Sequence, residues 1–191
     1  YILSLIWKYL TKRHDILVNH HPNMACYVFD RNSLYISLHG RTELNQLKVL
    51  EERILKTKNF RDSSCLDIGA AIGNHSIFFS KYFKNTFSFE PNQDTYSLLN
   101  FNVKNNSKNK VKTFNFGASN KDEEKNLLSI QKTNLGGDRI INDITYMENT
   151  RKVSLKKLDK IINQQSINKI ELIKLDIEGY ELNALKGLEE T

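Results

Sequence analysis

With 191 residues, 39% of them hydrophobic and 26% charged, the chain has the composition of a single globular domain with room for a substantial core, which excludes a disordered or fibrous protein. The net charge of +6 comes from lysines scattered among asparagines, with no basic run carrying interleaved aromatics, so a solvated basic surface is expected and no nucleic-acid partner. Cys26 and Cys65 lie too far apart for a metal or redox spacing, which makes a reducing, cytoplasmic compartment the expectation.

The chain opens on the apolar stretch Tyr1–Leu10, far short of the roughly 20 residues that span a membrane. It reads as a core or interface helix, or as the tail of something upstream, and membrane association stays open. Residues 11–25 are polar loop, so residues 1–25 are set apart from a domain over 26–191. Cys26–Phe29 and Leu34–Leu38 read as short strands around a hairpin turn at Asp30–Ser33. Thr42 is placed to cap a helix carrying Leu44, Leu47, Leu50, Ile54 and Leu55.

Cys65, Leu66 and Ile68 form a buried strand that ends in the turn Gly69-Ala70-Ala71-Ile72-Gly73, and a helix follows over Asn74–Phe83. Strand, glycine turn and helix together bring backbone N–H groups against a nucleotide. The next strand, Phe87–Phe89, closes on Glu90-Pro91, and Gln93–Val103 reads as a helix. Val111–Gly117 is expected as the third strand, Lys121–Asn126 as a charged turn, and Asn134–Arg139 as a strand-like piece in a weakly patterned stretch. Val153 is assigned to a short strand, with Ser154 capping a helix through Leu155, Leu158, Ile161 and Ile162. Ile170–Ile177 is a strong strand, and Tyr180–Leu188 a helix.

Strands alternating with helices predict a parallel sheet covered on both faces, an α/β, Rossmann-like three-layer sandwich. Such sheets bind ligands at the carboxyl ends of their strands, where Asp67, Glu90, Asn115 and Asp176 converge. A dinucleotide fingerprint needs G-x-G-x-x-G, but Ala71 replaces its second glycine and the acid Asp67 precedes the turn. Glu90, about twenty residues beyond the turn, stands where a carboxylate accepts both ribose hydroxyls. Two acids without a phosphate-binding lysine describe a nucleoside cofactor carrying a cation, S-adenosyl-L-methionine.

Five blocks, Leu66–Ser76, Phe89–Asn92, Asn134–Gly137, Val153–Asp159 and Ile173–Leu182, resemble the FkbM family of methyltransferases, in the right order from about residue 26 onward. The resemblance implies a Rossmann-like fold, S-adenosyl-L-methionine as donor, and methylation of a hydroxyl on a sugar or other small metabolite. The family's sheet continues beyond the helix after Glu181, so the chain is expected to be a fragment without its last strands. The expected cofactor-binding residues are Asp67, Gly69, Ala70, Gly73, Asn74, Glu90, Pro91 and Asn115. Asp176 is the candidate base for the acceptor hydroxyl, with Lys174 on the same strand face and Glu178 at the strand end. No metal site is assigned, although Asp176 and Glu178 have the chemistry to share a divalent ion. His75 reads as an ordinary first-turn helix residue. Two other readings stand beside the enzyme: a non-catalytic nucleoside-binding module, and an NAD-dependent oxidoreductase.

Overall fold

The computed structural model describes residues 2–6, 8, 9, 12, 22–28, 30–129, 137–141 and 149–191. Four parallel strands, β1 (Ser64–Ile68), β2 (Asn85–Phe89), β3 (Val111–Phe114) and β8 (Ile170–Leu175), form the organising sheet in the order β3-β2-β1-β8. The period-two alternation of strands assigns their faces. Leu66, Ile68, Phe87 and Phe89 pack under Leu158, Ile161 and Ile162 of α5 (Leu158–Gln164) and Ala184 of α6 (Glu181–Lys186). Cys65 faces the opposite way, toward Leu47 of α2 (Leu44–Leu50) and Phe78 and Phe79 of α3 (Asn74–Phe79). α4 (Gln93–Asn106) joins that second layer, with Leu99 and Val103 against Ile77 and Ala70. Each fully buried Leu or Phe contributes about 1.5–3 kcal/mol. Helices on both faces of a parallel sheet make this a Rossmann-like α/β fold.

A second sheet, in the order β4-β7-β5-β6, consists of β4 (Gly117–Ser119), β5 (Glu123–Leu128), β6 (Arg139–Ile141) and β7 (Thr150–Lys157). Several expectations change here. The predicted third strand breaks in two: β3 stops at Phe114 and Gly117 opens β4, because the Asn115 amide turns back to donate to the carbonyls of Glu90 and Pro91. The charged segment expected as a turn is largely β5, whose Leu127 is buried while Glu124 faces out. Ser154 caps no helix. It lies inside β7, which buries Val153 and Leu155 on alternate positions and runs to Lys157 before α5 begins. Of the strand-like piece expected at Asn134–Arg139, residues 134–136 lie outside the described residues and Arg139 begins β6.

The hairpin expected around Asp30–Ser33 is instead the start of helix α1 (Arg31–His39). Asp30 Oδ2 accepts the Ser33 N–H at 2.8 Å, and Gly40, in the left-handed region, returns its N–H to the Ile36 carbonyl. Two caps outweigh the strand preference of Leu34-Tyr35-Ile36. Thr42 does not cap α2, which starts after Glu43. Residues 2–6 and 8–9 are helical, and the side chains of Ile2, Leu3, Leu5, Ile6 and Tyr9 are exposed rather than part of the core. Among the described residues no helix is long and apolar enough to cross a membrane.

Candidate functional site

The glycine turn joins three strands at their carboxyl ends. Gly69 and Ala70 both donate to the Phe89 carbonyl at 3.0 Å, which ties the turn to the end of β2. Gly69 is left-handed (φ +79°), and a Cβ there would sit 2.0 Å from the Asp176 carbonyl oxygen, so only glycine lets β8 close against the turn. Gly73 (φ +98°) leads into α3, packed so that a Cβ would meet Leu99 at 3.0 Å.

Above the turn lies a cleft of about 340 Å³, within the usual range for small-ligand sites of roughly 300–1,000 Å³. Gly69, Ala70, Asn74, Glu90, Pro91, Lys174, Asp176 and Glu178 all line it, which brings together most of the residues picked out from the sequence. Three others do not reach its surface. Asp67 is fully buried, because it lies one residue before the end of β1 and its side chain points to the α3 face rather than to the turn. There Ser76 donates to its Oδ2 at 2.5 Å, and Ser88 donates to Ser76 at 2.8 Å. Gly73 lies behind the turn among the α4 side chains, and Asn115 is occupied in bonding the Glu90 and Pro91 carbonyls.

Glu90 holds the centre of the floor. Its Oε2 accepts the Ala71 N–H at 3.1 Å and its Oε1 the Asn92 N–H at 2.8 Å. Burial pushes its carboxyl up to about 7, against the pull of those two N–H groups and with help from nearby Asp138. Lys174 Nζ donates to the Gly69 carbonyl at 2.6 Å and lies 3.4 Å from Asp67 Oδ1 and 3.8 Å from Asp176 Oδ2. The Asp176 side chain lines the cleft and is 61% exposed. Glu178 is left-handed (φ 53°) beside Gly179, and the Ile177 and Gly179 N–H groups both donate to Glu181 Oε1 at 3.2 Å, shaping the loop after β8.

Asn74 does not cap α3, since Gly73 holds that position. Its side chain instead pairs with the Thr42 backbone, accepting the N–H at 3.3 Å. His75 Nε2 lies 2.8 Å from Glu43 Oε2, which pins the segment between α1 and α2 along one wall of the cleft. Arg31, Asn32, Ile36, Thr42 and Glu43 thereby become lining residues. The hairpin expectation concealed them, although the Asp30-x-x-Ser33 cap spacing was there to be read. Asp138 and Tyr180 also line the cleft and went unmarked, and only the folding of the second sheet brings Asp138 near Glu90.

The described lining carries five carboxylates (Glu43, Glu90, Asp138, Asp176 and Glu178) against two fixed cations, Arg31 and Lys174. That field repels a pyrophosphate and attracts a cation. The donor set therefore fits a positively charged nucleoside: a strand-end carboxylate for ribose, an apolar wall of Pro91, Leu127, Ile140 and Leu155, and acids around the rest.

Over residues 67–191 the chain matches the family described as Methyltransferase FkbM domain. Hexuronic acid methyltransferase AglP of Haloferax volcanii is 26% identical over 138 residues, covering 71% of this chain and 54% of that protein, so the chain spans about half the length of this curated relative. The YcgJ protein from Bacillus subtilis aligns in structure with a TM-score of 0.34 and 16% identity, over 41% of this chain and 35% of that one.

Proposed function

Because the chain belongs to the methyltransferase FkbM domain family, we propose that it transfers a methyl group from S-adenosyl-L-methionine to a hydroxyl oxygen of a sugar or similar small metabolite. The observation behind the cofactor assignment is the buried Glu90 carboxylate just past the carboxyl end of β2, set in an acid-rich cleft beside a glycine turn. A sugar acceptor is supported by the relative named as a hexuronic acid methyltransferase.

Bound S-adenosyl-L-methionine supplies an electrophilic methyl group on a sulfonium sulfur. Glu90 Oε1 and Oε2 accept the ribose hydroxyls while keeping their backbone N–H partners. The acceptor hydroxyl gives up its proton to an Asp176 carboxylate oxygen, which Lys174 holds in place from 3.8 Å. Glu178 lines the same mouth and orients the acceptor through its carboxylate, while Asn74, bonded to the Thr42 backbone, holds the wall beside it. Most of the rate gain comes from holding the acceptor oxygen against the methyl carbon, a positioning effect.

Isothermal titration with S-adenosylhomocysteine and with NAD tests the cofactor, and radiolabelled methyl transfer to glucuronic acid and neutral hexoses tests the acceptor. Binding of S-adenosylhomocysteine with no NAD binding is expected. NAD binding without S-adenosylhomocysteine binding would replace the methyltransferase reading with the oxidoreductase one.

A further inference from the structure

Ile2, Leu3, Leu5, Ile6 and Tyr9 fall within eight consecutive positions, and each is 48–81% exposed. Single exposed apolar side chains are ordinary on a protein surface, but a contiguous group of them marks a contact. Residues 2–6, 8 and 9 are helical. At 3.6 residues per turn the five apolar side chains fall within about 160° of the helix circumference. Ser4 and Lys8 take the opposite side, and Lys12, helical and exposed like Lys8, follows it by four positions.

The charge around this face has one sign. Residues 1–14 contain Lys8, Lys12 and Arg13 and neither Asp nor Glu. A wide apolar face flanked by cations alone matches a surface that is oily below and negative above, which is the boundary of an anionic bilayer. Lysine stems are long enough to hold their ammonium groups at the phosphates while the apolar face sinks past them. A second copy of the chain would bring only more cations to the same place.

We propose that the helical stretch carrying Ile2 to Tyr9 seats the chain on an anionic lipid surface. It lies in the plane of that surface, with its apolar face in the acyl boundary and Lys8 and Lys12 at the headgroups. The inference is independent of the chemistry assigned to the cleft.

The test uses the whole chain with vesicles of phosphatidylcholine and phosphatidylglycerol, and with vesicles of phosphatidylcholine alone. Trp7 is the chain's single tryptophan, so its fluorescence reports on this stretch and no other. Co-sedimentation with the anionic vesicles is expected, at least about tenfold stronger than with the neutral ones, together with a blue shift of the tryptophan emission. The double variant Ile2→Gln, Ile6→Gln keeps the charge and should weaken binding to anionic vesicles by about tenfold or more. Lys8→Gln with Lys12→Gln should weaken it by about tenfold while leaving the neutral vesicles unaffected. Thermal melts confirm that both variants fold, as expected for exposed positions. Binding that persists in Ile2→Gln, Ile6→Gln, or that leaves the tryptophan emission unshifted, would assign the contact to the general basic surface and overturn the proposal. So would a wild-type chain that ignores anionic vesicles, or one whose self-association, measured by sedimentation velocity, is what the Ile2 and Ile6 substitutions abolish.

Discussion

Lys174 and Asp67 are register partners on the neighbouring parallel strands β8 and β1, and the lysine Nζ lies 3.4 Å from the buried Asp67 Oδ1. The pairing explains why an acid can stand at a fully buried position. Ser76 satisfies Oδ2, while Oδ1 has no hydrogen-bond donor and depends on the charge of Lys174. The same Nζ donates to the Gly69 carbonyl, so one cation ties the sheet, the glycine turn and the cleft together. Removing one member of a buried pair leaves an uncompensated charge, which typically costs about 3–5 kcal/mol. Lys174→Met is therefore expected to lower unfolding free energy in urea by that amount, and the double variant with Asp67→Asn should regain most of the loss. A cost below about 1 kcal/mol for Lys174→Met would mean that Asp67 is held by Ser76 alone.

Glu90 makes the chain sensitive to pH near neutrality. Its carboxyl is raised from an ordinary value of 4.5 to about 7, so the folded chain holds this proton more tightly than the unfolded chain does. The stability that results is complete below about pH 4.5 and is lost as the pH rises through about 7, a change on the order of 3 kcal/mol. Glu90→Gln should remove this slope, so urea midpoints measured from pH 5 to pH 8 should fall in wild type relative to the variant. If Glu90 takes the ribose, ligand binding runs the other way, because the hydroxyls then donate to the ionised carboxylate. S-adenosylhomocysteine affinity should weaken toward tenfold per unit as the pH drops below 7, with proton release visible in buffers of different ionisation enthalpy. A flat affinity between pH 5.5 and 8 would rule out Glu90 as the ribose acceptor.

The parts of the molecule written in local pattern were legible from the sequence. The run from Cys65 to Gly73 names its own strand and turn, and Glu90 follows at the end of the next apolar run, so both appear where expected. The errors arise where a single hydrogen bond or a tertiary partner decides. Leu34-Tyr35-Ile36 looks like a strand until the Asp30 cap makes it helical. Asp67 looks like a cleft residue until the alternation of β1 turns it toward Ser76, a matter of one position in register. Asp138 could not be placed at all, since its approach to Asn92 spans 46 residues and depends on a second sheet whose strands are short and charged.

Asp176 and Lys174 share a strand face but have separable roles. Asp176 Oδ2 is open to the cleft, whereas Lys174 Nζ is engaged below it. If Asp176 takes the acceptor's proton, Asp176→Asn keeps size and hydrogen bonding but loses the base. Methyl transfer to an accepted sugar should then fall by about 10²–10⁴ in kcat. S-adenosylhomocysteine affinity should stay within about threefold, because Glu90 and the turn are untouched. Equal loss of binding and turnover would instead make Asp176 a structural residue of the cleft.

Gly69 provides the most direct test of how the cleft is built. Its φ of +79° suits a left-handed residue, and an added Cβ would lie 2.0 Å from the Asp176 carbonyl oxygen and 2.9 Å from Ile177 Cγ2. The first is backbone and cannot rotate away, so Gly69→Ala must push the end of β8 off the turn. The left-handed conformation alone costs an alanine about 1–2 kcal/mol, and the displacement adds to it. A loss of more than about 2 kcal/mol in unfolding free energy is expected. In any fraction that still folds, the displacement carries Lys174 away from the Gly69 carbonyl and Asp176 away from the cleft, so methyl transfer should fall further than S-adenosylhomocysteine binding. Wild-type stability and turnover in Gly69→Ala would show that β8 does not close on the turn in solution, and the proposed role of Asp176 would fail with it.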